Sequence, residues 1–192
     1  MDSTVSALAV SGTKIYAGGS CTMSGGTPAN NVAQWDRSDG TPLALIYGMN
    51  HQVLAMAISG TNLYVGGSFT TTGSGVTNNY VAQWDGSHWM ALGSGVGNQV
   101  LALAVSGTNL YAGGSFKTAG GGAALHIARW DGTTWSALGS GVSGAGQTVD
   151  SLAVSGSNLY VGGSFTTAGG IAATNIAVWN GLILFGVQQM PA

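Results

Sequence analysis

The sequence predicts an all-β protein, and three observations support this prediction. Short stretches rich in Val, Leu, Ile, Tyr and Trp alternate with turn sequences that contain Gly, Asn, Asp and Thr. No stretch shows the periodicity of an amphipathic helix. Four near-copies of one segment run along the whole chain, namely SGTKIYAGGSCTM at Ser11–Met23, SGTNLYVGGSFTT at Ser59–Thr71, SGTNLYAGGSFKT at Ser106–Thr118 and SGSNLYVGGSFTT at Ser155–Thr167. A unit this short cannot bury its own apolar face, so we expect neighbouring copies to stack.

The third copy shows the first two elements of one unit. Val100–Ser106 (VLALAVS) is apolar at nearly every position, which predicts a strand covered on both faces. The sequence GTN at 107–109 is typical of a hairpin turn. Leu110–Phe116 (LYAGGSF) follows as a second strand. Its glycines, Gly113 and Gly114, favour close approach of another backbone.

The rest of the third copy predicts two more strands. A loop rich in Gly, Ala and Thr at Thr118–Ala124 precedes a third strand, His126–Trp130. A tight-turn sequence, Asp131-Gly132, leads to a short fourth strand, Trp135–Leu138. Four antiparallel strands repeated in this way are typical of a β-propeller. We therefore expect a four-bladed β-propeller, a single domain over residues 1–192, with the first strands at the centre, the fourth strands at the outer edge, and blades at about 4–50, 51–98, 99–147 and 148–192.

The repeat resembles the kelch class of propeller. In the second copy a hydrophobic run leads into a Gly-Gly doublet at Leu63–Gly67, and two spaced aromatic residues, Trp84 and Trp89, follow. The resemblance covers the whole chain, but Trp stands where kelch repeats usually have Tyr, and the aromatic spacing is shorter. Tandem repeats of bacterial surface proteins, of the type GGSFTTAGG…IARWDG, are also similar. The resemblance implies a propeller fold, a binding or scaffolding role, and an extracellular or cell-surface location.

The chain carries very little charge. Charged residues make up 5% of it, with six Asp, no Glu, four Lys or Arg, and a formal net charge of −2. Copies of such a protein repel one another weakly, which favours association. The absence of a basic cluster argues against a nucleic-acid partner. The longest apolar run, Leu182–Val187, is too short to cross a bilayer, and no signal peptide opens the sequence.

The roles of the Tyr, His, Cys and Asp residues can be judged from their positions in the repeat. Tyr16, Tyr64, Tyr111 and Tyr160 occupy one slot in all four copies, which indicates packing. Three histidines, His51, His88 and His126, fall in three different slots without metal-ligand spacing and are expected at the surface. Cys21 takes the slot of a Phe and is expected to be buried. Turn formation is the expected role of Asp36, Asp85, Asp131 and Asn180. We therefore expect no catalytic site, metal or cofactor.

The first and last repeats lack the outer-strand Trp found at Trp89 and Trp135, and carry more apolar sequences there. No Lys or Glu interrupts them, so exposed edges would be templates for pairing with another chain. The candidate self-association edge consists of Leu43, Leu45, Ile46, Tyr47, Leu182, Ile183, Leu184 and Phe185. Burial of these side chains is the alternative. We expect a non-enzymatic structural module that self-associates into oligomers or a filament- or tube-like polymer.

The alternative function is carbohydrate binding. One Trp recurs in all four copies, as Trp35, Trp84, Trp130 and Trp179. Aromatic faces beside Asn and Thr suit sugars, and a lectin-like propeller would then bind glycans at repeated sites. Packing of each Trp between blades explains the same pattern. The sequence also leaves open whether the ring closes within one chain or with a second chain that supplies the other half.

Overall fold

A computed structural model of the 192-residue chain describes residues 1–38, 42–44, 48–73 and 75–187, and describes only the backbone of Thr27 and of residues 42–44. In these residues the chain consists of β-strands joined by turns. The all-β prediction is therefore confirmed for the part of the chain that is described.

The strands follow the four sequence repeats. Repeat 1 contains β1 (Val5–Ser11), β2 (Lys14–Gly19), β3 (Met23–Ser24), β4 (Thr27–Pro28), β5 (Val32–Asp36) and β6 (Pro42–Ala44). Repeat 2 contains β7 (Val53–Ser59), β8 (Asn62–Gly67), β9 (Val81–Trp84) and β10 (Trp89–Ala91). Repeat 3 contains β11 (Val100–Ser106), β12 (Asn109–Gly114), β13 (Thr118–Ala119), β14 (Gly122–Ala123), β15 (Ile127–Trp130), β16 (Trp135–Ala137) and β17 (Val142–Ser143). Repeat 4 contains β18 (Thr148–Ser155), β19 (Asn158–Ser164), β20 (Thr167–Ala168), β21 (Ile171–Ala172), β22 (Ile176–Trp179) and β23 (Leu184–Gly186).

Four larger antiparallel sheets are formed by the described residues. Their strand orders are β1-β2-β5-β6 (sheet 1), β7-β8-β9-β10 (sheet 2), β11-β12-β15-β16 (sheet 3) and β18-β19-β22-β23 (sheet 4). Smaller sheets pair β3 with β4, β13 with β14, and β17 with β20 and β21. The strands predicted for the third repeat are present to within a residue or two, with the first and fourth at opposite edges of the sheet.

Each sheet begins with the same hairpin. In sheet 3, Ser106 pairs with Asn109 across a two-residue turn. Gly107 opens that turn with a φ of 58°, a backbone conformation that two-residue hairpins require and that glycine adopts without steric cost. The equivalent glycines of the other sheets have φ values of 57 or 58°. The hairpin turns predicted from the sequence are therefore confirmed.

A short hairpin was predicted as a loop. In the stretch Thr118–Ala124, β13 and β14 pair through Thr118 with Ala123 and Ala119 with Gly122. Both turn glycines have positive φ, 60° and 84°. Because these strands have only two residues each, they are too short to show an alternation of apolar and polar side chains. The interpretation of this stretch as a loop was therefore wrong.

The sheets pack on one another in chain order through their first strands. Strand β1 contacts β7, β7 contacts β11, and β11 contacts β18. Each contact encloses an apolar core drawn from two consecutive repeats. Between sheets 1 and 2, for example, Tyr16 and Val32 pack with Val53, Leu63 and Phe69. The expected stacking of repeats is thus the principal source of buried apolar surface.

Candidate functional site

A valine of each internal first strand packs over a glycine of the preceding sheet. A Cβ atom placed on Gly18 would overlap Cγ1 of Val53, and Gly66 and Gly113 stand in the same relation to Val100 and Val149. All three valines are completely buried. The sequence predicted close approach of another backbone at the glycine doublet. This is confirmed at the second glycine, where a Cβ on Gly114 would overlap the carbonyl oxygen of Gln99. At the first glycine the approaching group is instead a valine side chain of the next sheet, and we call this the valine–glycine contact.

The same contact contains a longer side chain three residues after the valine. A Cβ on Gly18 would lie 2.6 Å from Cε of Met56, one on Gly66 would lie 3.4 Å from Cδ1 of Leu103, and one on Gly113 would lie 3.5 Å from Cδ1 of Leu152. Each contact therefore consists of two apolar side chains that cover one glycine. The three contacts share this arrangement, although the longer residue differs.

The first strand of sheet 1 carries the same side chains but has no preceding sheet. Val5 is 40% exposed, whereas its three equivalents have no exposed surface. Leu8 and Val10 lie on the same strand and are 66% and 57% exposed. We call these three residues the sheet 1 face. They form an apolar strip with nothing packed on it among the described residues.

The last sheet exposes the opposite half of such a contact. No valine covers Gly162, and a Cβ placed there would meet only the Ser151 side chain of its own sheet and, at 4.0 Å, the carbonyl oxygen of Asn175. Ile176 is 45% exposed, whereas the three equivalent residues, Val32, Val81 and Ile127, have no exposed surface. Tyr160 is half-buried, in contrast to the buried Tyr16, Tyr64 and Tyr111. We call Tyr160, Gly162 and Ile176 the sheet 4 face. A shallow depression of about 150 Å³ lies over it.

No contact comparable to the three internal ones joins sheet 4 to sheet 1 among the described strands. The packing of sheet 1 reflects this. Among the described residues, the buried Cys21, Ala29 and Ala33 pack with the half-buried Trp35 of the same repeat. In repeat 4 the equivalent cluster around Phe165 also includes Tyr111 and Ile127 of the preceding sheet. Residues of a preceding sheet therefore belong to the cluster of repeat 4 and have no counterpart in the described part of the Cys21 cluster.

The candidate self-association edge divides into three groups. Leu182 and Ile183 are 83% and 56% exposed. Leu184 and Phe185 are buried, which is the alternative that the sequence left open for them. Leu184 pairs with Trp179 and packs in the core between sheets 3 and 4. In repeat 1, Leu45, Ile46 and Tyr47 lie outside the described residues, and only the backbone of Leu43 is described, as part of β6.

The recurring Trp residues serve largely as packing. Trp84 and Trp130 are buried, with their ring centroids 5.2 Å from Trp89 and 5.6 Å from Trp135, respectively. Trp35 and Trp179 are half-buried and have no such aromatic partner among the described ring pairs. One aromatic pair borders open space. Trp130 and Trp135 line a depression of about 270 Å³ together with Ser94, Thr133 and Thr134.

The expected role of the turn residues is confirmed. Asp131 accepts hydrogen bonds from the backbone N–H of Thr133 (2.9 Å) and of Thr134 (2.8 Å), and Asn180 accepts two such bonds in repeat 4. Asp36 and Asp85 accept equivalent bonds in repeats 1 and 2. These N–H groups favour the ionised carboxyl and hold the pKa of Asp131 well below its ordinary value. The carboxylates of these three aspartates therefore stabilise turns.

His126 is the exception among the histidines, because it is buried rather than at the surface. Its φ of 67° matches that of Asn31, Tyr80 and Asn175, which occupy the same position before the third strand. Its Nδ1 has no hydrogen-bond partner, and burial, aided by the charge of Lys117, lowers the pKa of the ring. The position before a strand gave no sequence signal for this burial.

The described residues contain no group of three or more His, Cys, Asp or Glu side chains that could hold a metal ion. Within that same part of the chain, no helical segment has the length and apolar character that a bilayer span requires.

Comparison with known proteins supports a fold and shows no family. The chain matches no family model and no curated protein sequence. Among solved structures it is similar to the computationally designed Ika4 protein, with 21% identity over 93% of this chain and 92% of that one and a TM-score of 0.60. It is also similar to U3-55K (15% identity, TM-score 0.61) and to the WD40 repeats of RRP9 (16%, TM-score 0.60). These alignments cover 97% and 98% of this chain but only 53% of either of those chains. The similarities support a β-propeller repeat fold.

Proposed function

We propose that the chain is a non-enzymatic structural module that self-associates through its terminal sheets. In this proposal the four larger sheets are the blades of a kelch-like propeller whose ring one chain leaves open. The main supporting observation is that the sheet 1 face and the sheet 4 face are more exposed than their equivalents, which are buried or half-buried at every internal contact. The partner is another copy of the chain, in an extracellular or cell-surface setting.

The apolar surface of the sheet 1 face supports association. Val5, Leu8 and Val10 are between 40% and 66% exposed. Complete burial of one such side chain is worth about 1.5–3 kcal/mol, so a partner that covers the strip gains on the order of a few kcal/mol before the cost of association. A net charge of −2 on 192 residues adds little electrostatic repulsion between copies.

The chemistry of the described residues supports a role without catalysis. The aspartates of the third-to-fourth-strand turns use their oxygens for turn hydrogen bonds, and Cys21 is buried, with its pKa raised by burial. The ring of His126 is 2% exposed and therefore has almost no access to a substrate. A nucleophile with an adjacent base, which covalent catalysis requires, is not found among these groups.

The native mass of the purified chain tests this proposal. Size-exclusion chromatography with light scattering is expected to give a mass above the 19.1 kDa of one protomer, and electron microscopy should show rings or polymers. A single species of 19.1 kDa at every concentration would contradict self-association.

The depression beside Trp130 and Trp135 favours carbohydrate binding as a second candidate function. The Trp135 Nε1 donates a hydrogen bond to the Leu92 carbonyl oxygen (2.7 Å), which fixes the ring, and Thr133 and Thr134 supply hydroxyl groups nearby. A sugar would stack on the indole and bond to these hydroxyls. Glycan-array binding and a sugar-induced change in Trp fluorescence should both be lost in Trp135→Leu, which introduces the residue that repeat 4 carries in this slot at Leu184. The absence of any glycan signal from the unmodified protein would remove this candidate.

A further inference from the structure

We propose that the sheet 1 face of one copy packs on the sheet 4 face of a second copy, with Val5 over Gly162, and that two such contacts join two copies in a closed ring of eight sheets. This inference rests on the proposed self-association and specifies the contact through which it occurs. The contact would be a fourth valine–glycine contact, formed between chains instead of within one.

The sheet 1 face has the geometry that an internal contact requires. Val5 pairs with Gly19, and the register then shifts before Ala7. The same pairing and the same shift occur at Val53 with Gly67, and again in sheets 3 and 4. This irregularity lies beside the valine at each internal contact. Val5 and Leu8 are therefore presented by the same backbone arrangement as Val53 and Met56.

The sheet 4 face has the matching glycine. Gly162 has no side chain, like the three glycines that a valine covers, and its φ lies outside the left-handed region. The residue paired with Gly162 is Ser151, where the other sheets have Ala, so its rotatable hydroxyl has to turn away when a valine enters. Tyr160 and Ile176 lie on the same face and are more exposed than their equivalents. The depression over Gly162, about 150 Å³, lies where the valine would enter.

The Cys21 cluster of sheet 1 fits the same contact. Between sheets 3 and 4, Tyr111 and Ile127 complete the cluster around Phe165. Their equivalents in sheet 4 are Tyr160 and Ile176, which have no sheet packed on them among the described residues. Docking of a second copy would bring these two side chains to the cluster at Cys21 and Trp35. One contact would thereby bury the exposed apolar residues of both faces.

Each copy has one face of each kind, so two copies related by a twofold axis use all four faces and leave none exposed.

Disulfide formation between two different single variants tests the contact. Val5→Cys and Gly162→Cys would be purified separately, mixed and oxidised. At the internal contacts a Cβ on the glycine would lie 2.9 or 3.0 Å from the valine Cβ, so a small outward shift reaches the Cβ separation of about 3.5–4.5 Å found in disulfides. Cys21 is buried and does not compete. We expect a covalent dimer in the mixture and in neither variant alone.

The outcomes separate this inference from the proposed function. A monomeric unmodified protein would overturn both. An oligomeric protein whose mixed variants do not cross-link, or whose native mass exceeds two protomers, would overturn this inference and leave self-association standing. The double variant V5C/G162C is the third arm. A disulfide within one chain at the mass of one protomer would show that the ring closes inside the chain, which also overturns the inference.

Gly162→Ala tests the contact without covalent cross-linking, and Gly122→Ala is its matched control. In a single chain the new methyl group at residue 162 meets only the rotatable hydroxyl of Ser151, whereas in the complex it would overlap Val5 of the partner copy. We expect Gly162→Ala to weaken dimer formation roughly tenfold or more, since overpacking costs about 1–3 kcal/mol. At Gly122 an added Cβ lies 3.7 Å from the nearest atom, the Ala119 carbonyl oxygen, so dimer formation should be unchanged. An unaltered dimer in Gly162→Ala would overturn the proposal.

Discussion

At the residue scale, identical residues in identical slots have different environments. Val149 is completely buried over Gly113, whereas Val5 is 40% exposed. Gly162 is the first glycine of the Gly-Gly doublet in repeat 4, as Gly113 is in repeat 3, yet no other sheet covers Gly162 among the described residues. The repeat pattern predicts that these positions pack between sheets. It does not predict which copies lack a neighbour, because the valine and the glycine are the same in both cases.

Substitution of Gly113 by Ala should destabilise the protein. The added methyl group would overlap Cγ1 of Val149, which is fixed in the core between sheets 3 and 4. Overpacking of this kind costs about 1–3 kcal/mol of unfolding free energy. Urea unfolding measures the change, and Gly122→Ala serves as the control. Equal stability of the two variants would show that the sheets can separate to accommodate a methyl group.

His126 should make stability depend on pH in the neutral to mildly acidic range. Burial lowers the pKa of this ring below its ordinary value of 6.5, so below that pH the unfolded chain binds a proton that the folded chain does not. Stability is therefore expected to fall as the pH is lowered from about 7.5 to about 5.5.

The variant His126→Asn tests this pH dependence. Asn31 and Asn175 already occupy the equivalent positions with the same positive φ, so the backbone should accept the change. Thermal unfolding at both pH values should show a smaller difference in Tm for the variant than for the unmodified protein. Equal differences would mean that His126 is not responsible.

At the element scale, turn chemistry was the most predictable part of the structure. The glycine of each first hairpin and the Asp or Asn of each later turn behave as their residue types require, because these preferences depend only on local backbone geometry. The prediction failed where local preference carried no information. Strands β13 and β14 are too short to show a pattern, and the burial of His126 depends on residues distant in sequence.

Asp131→Ala should lower the Tm because the turn between β15 and β16 loses its hydrogen-bond acceptor. Two backbone N–H groups and the hydroxyls of Thr133 and Thr134 bond to this carboxylate. Asp131→Asn is the control, since Asn180 forms the equivalent turn with an amide. Near neutral pH the Asn variant should unfold close to the unmodified protein and the Ala variant below it.

Asp131 should also make stability depend on pH in the acidic range. The lowered pKa of Asp131 means that its contribution is present above the unfolded value of 3.8 and is lost as the pH falls below it. Asp131→Asn should therefore show a weaker loss of Tm in this acidic range. If both proteins lose Tm equally, the carboxylate does not contribute in the way the hydrogen bonds indicate.

At the scale of the whole molecule, the repeat predicted sheets that pack in series, and the structure confirms that arrangement in the described residues. The exposed edge was predicted less well. Leu184 occupies the slot of Trp89 and Trp135 and is buried like Trp89, so the apolar character of the terminal strand indicates core packing as much as a free edge. Leu182 and Ile183, in the turn before that strand, are the exposed part.

Self-association should make thermal stability depend on protein concentration. A partner that binds only the folded state adds about 2.7 kcal/mol at a hundred times its dissociation constant, which corresponds to a rise in Tm of roughly 5–10 °C for a chain of this size. Differential scanning fluorimetry over a dilution series measures this shift. Gly162→Ala should have a Tm that varies less with dilution. A Tm independent of concentration in the unmodified protein would contradict a folded-state dimer.

The valine–glycine contact also has a consequence for how such a gene can change. Because a valine covers a glycine at each internal junction, unequal recombination that duplicates or deletes one whole internal repeat would keep a valine over a glycine at every junction. Variation in copy number would therefore preserve foldability while it changes the number of sheets in the array.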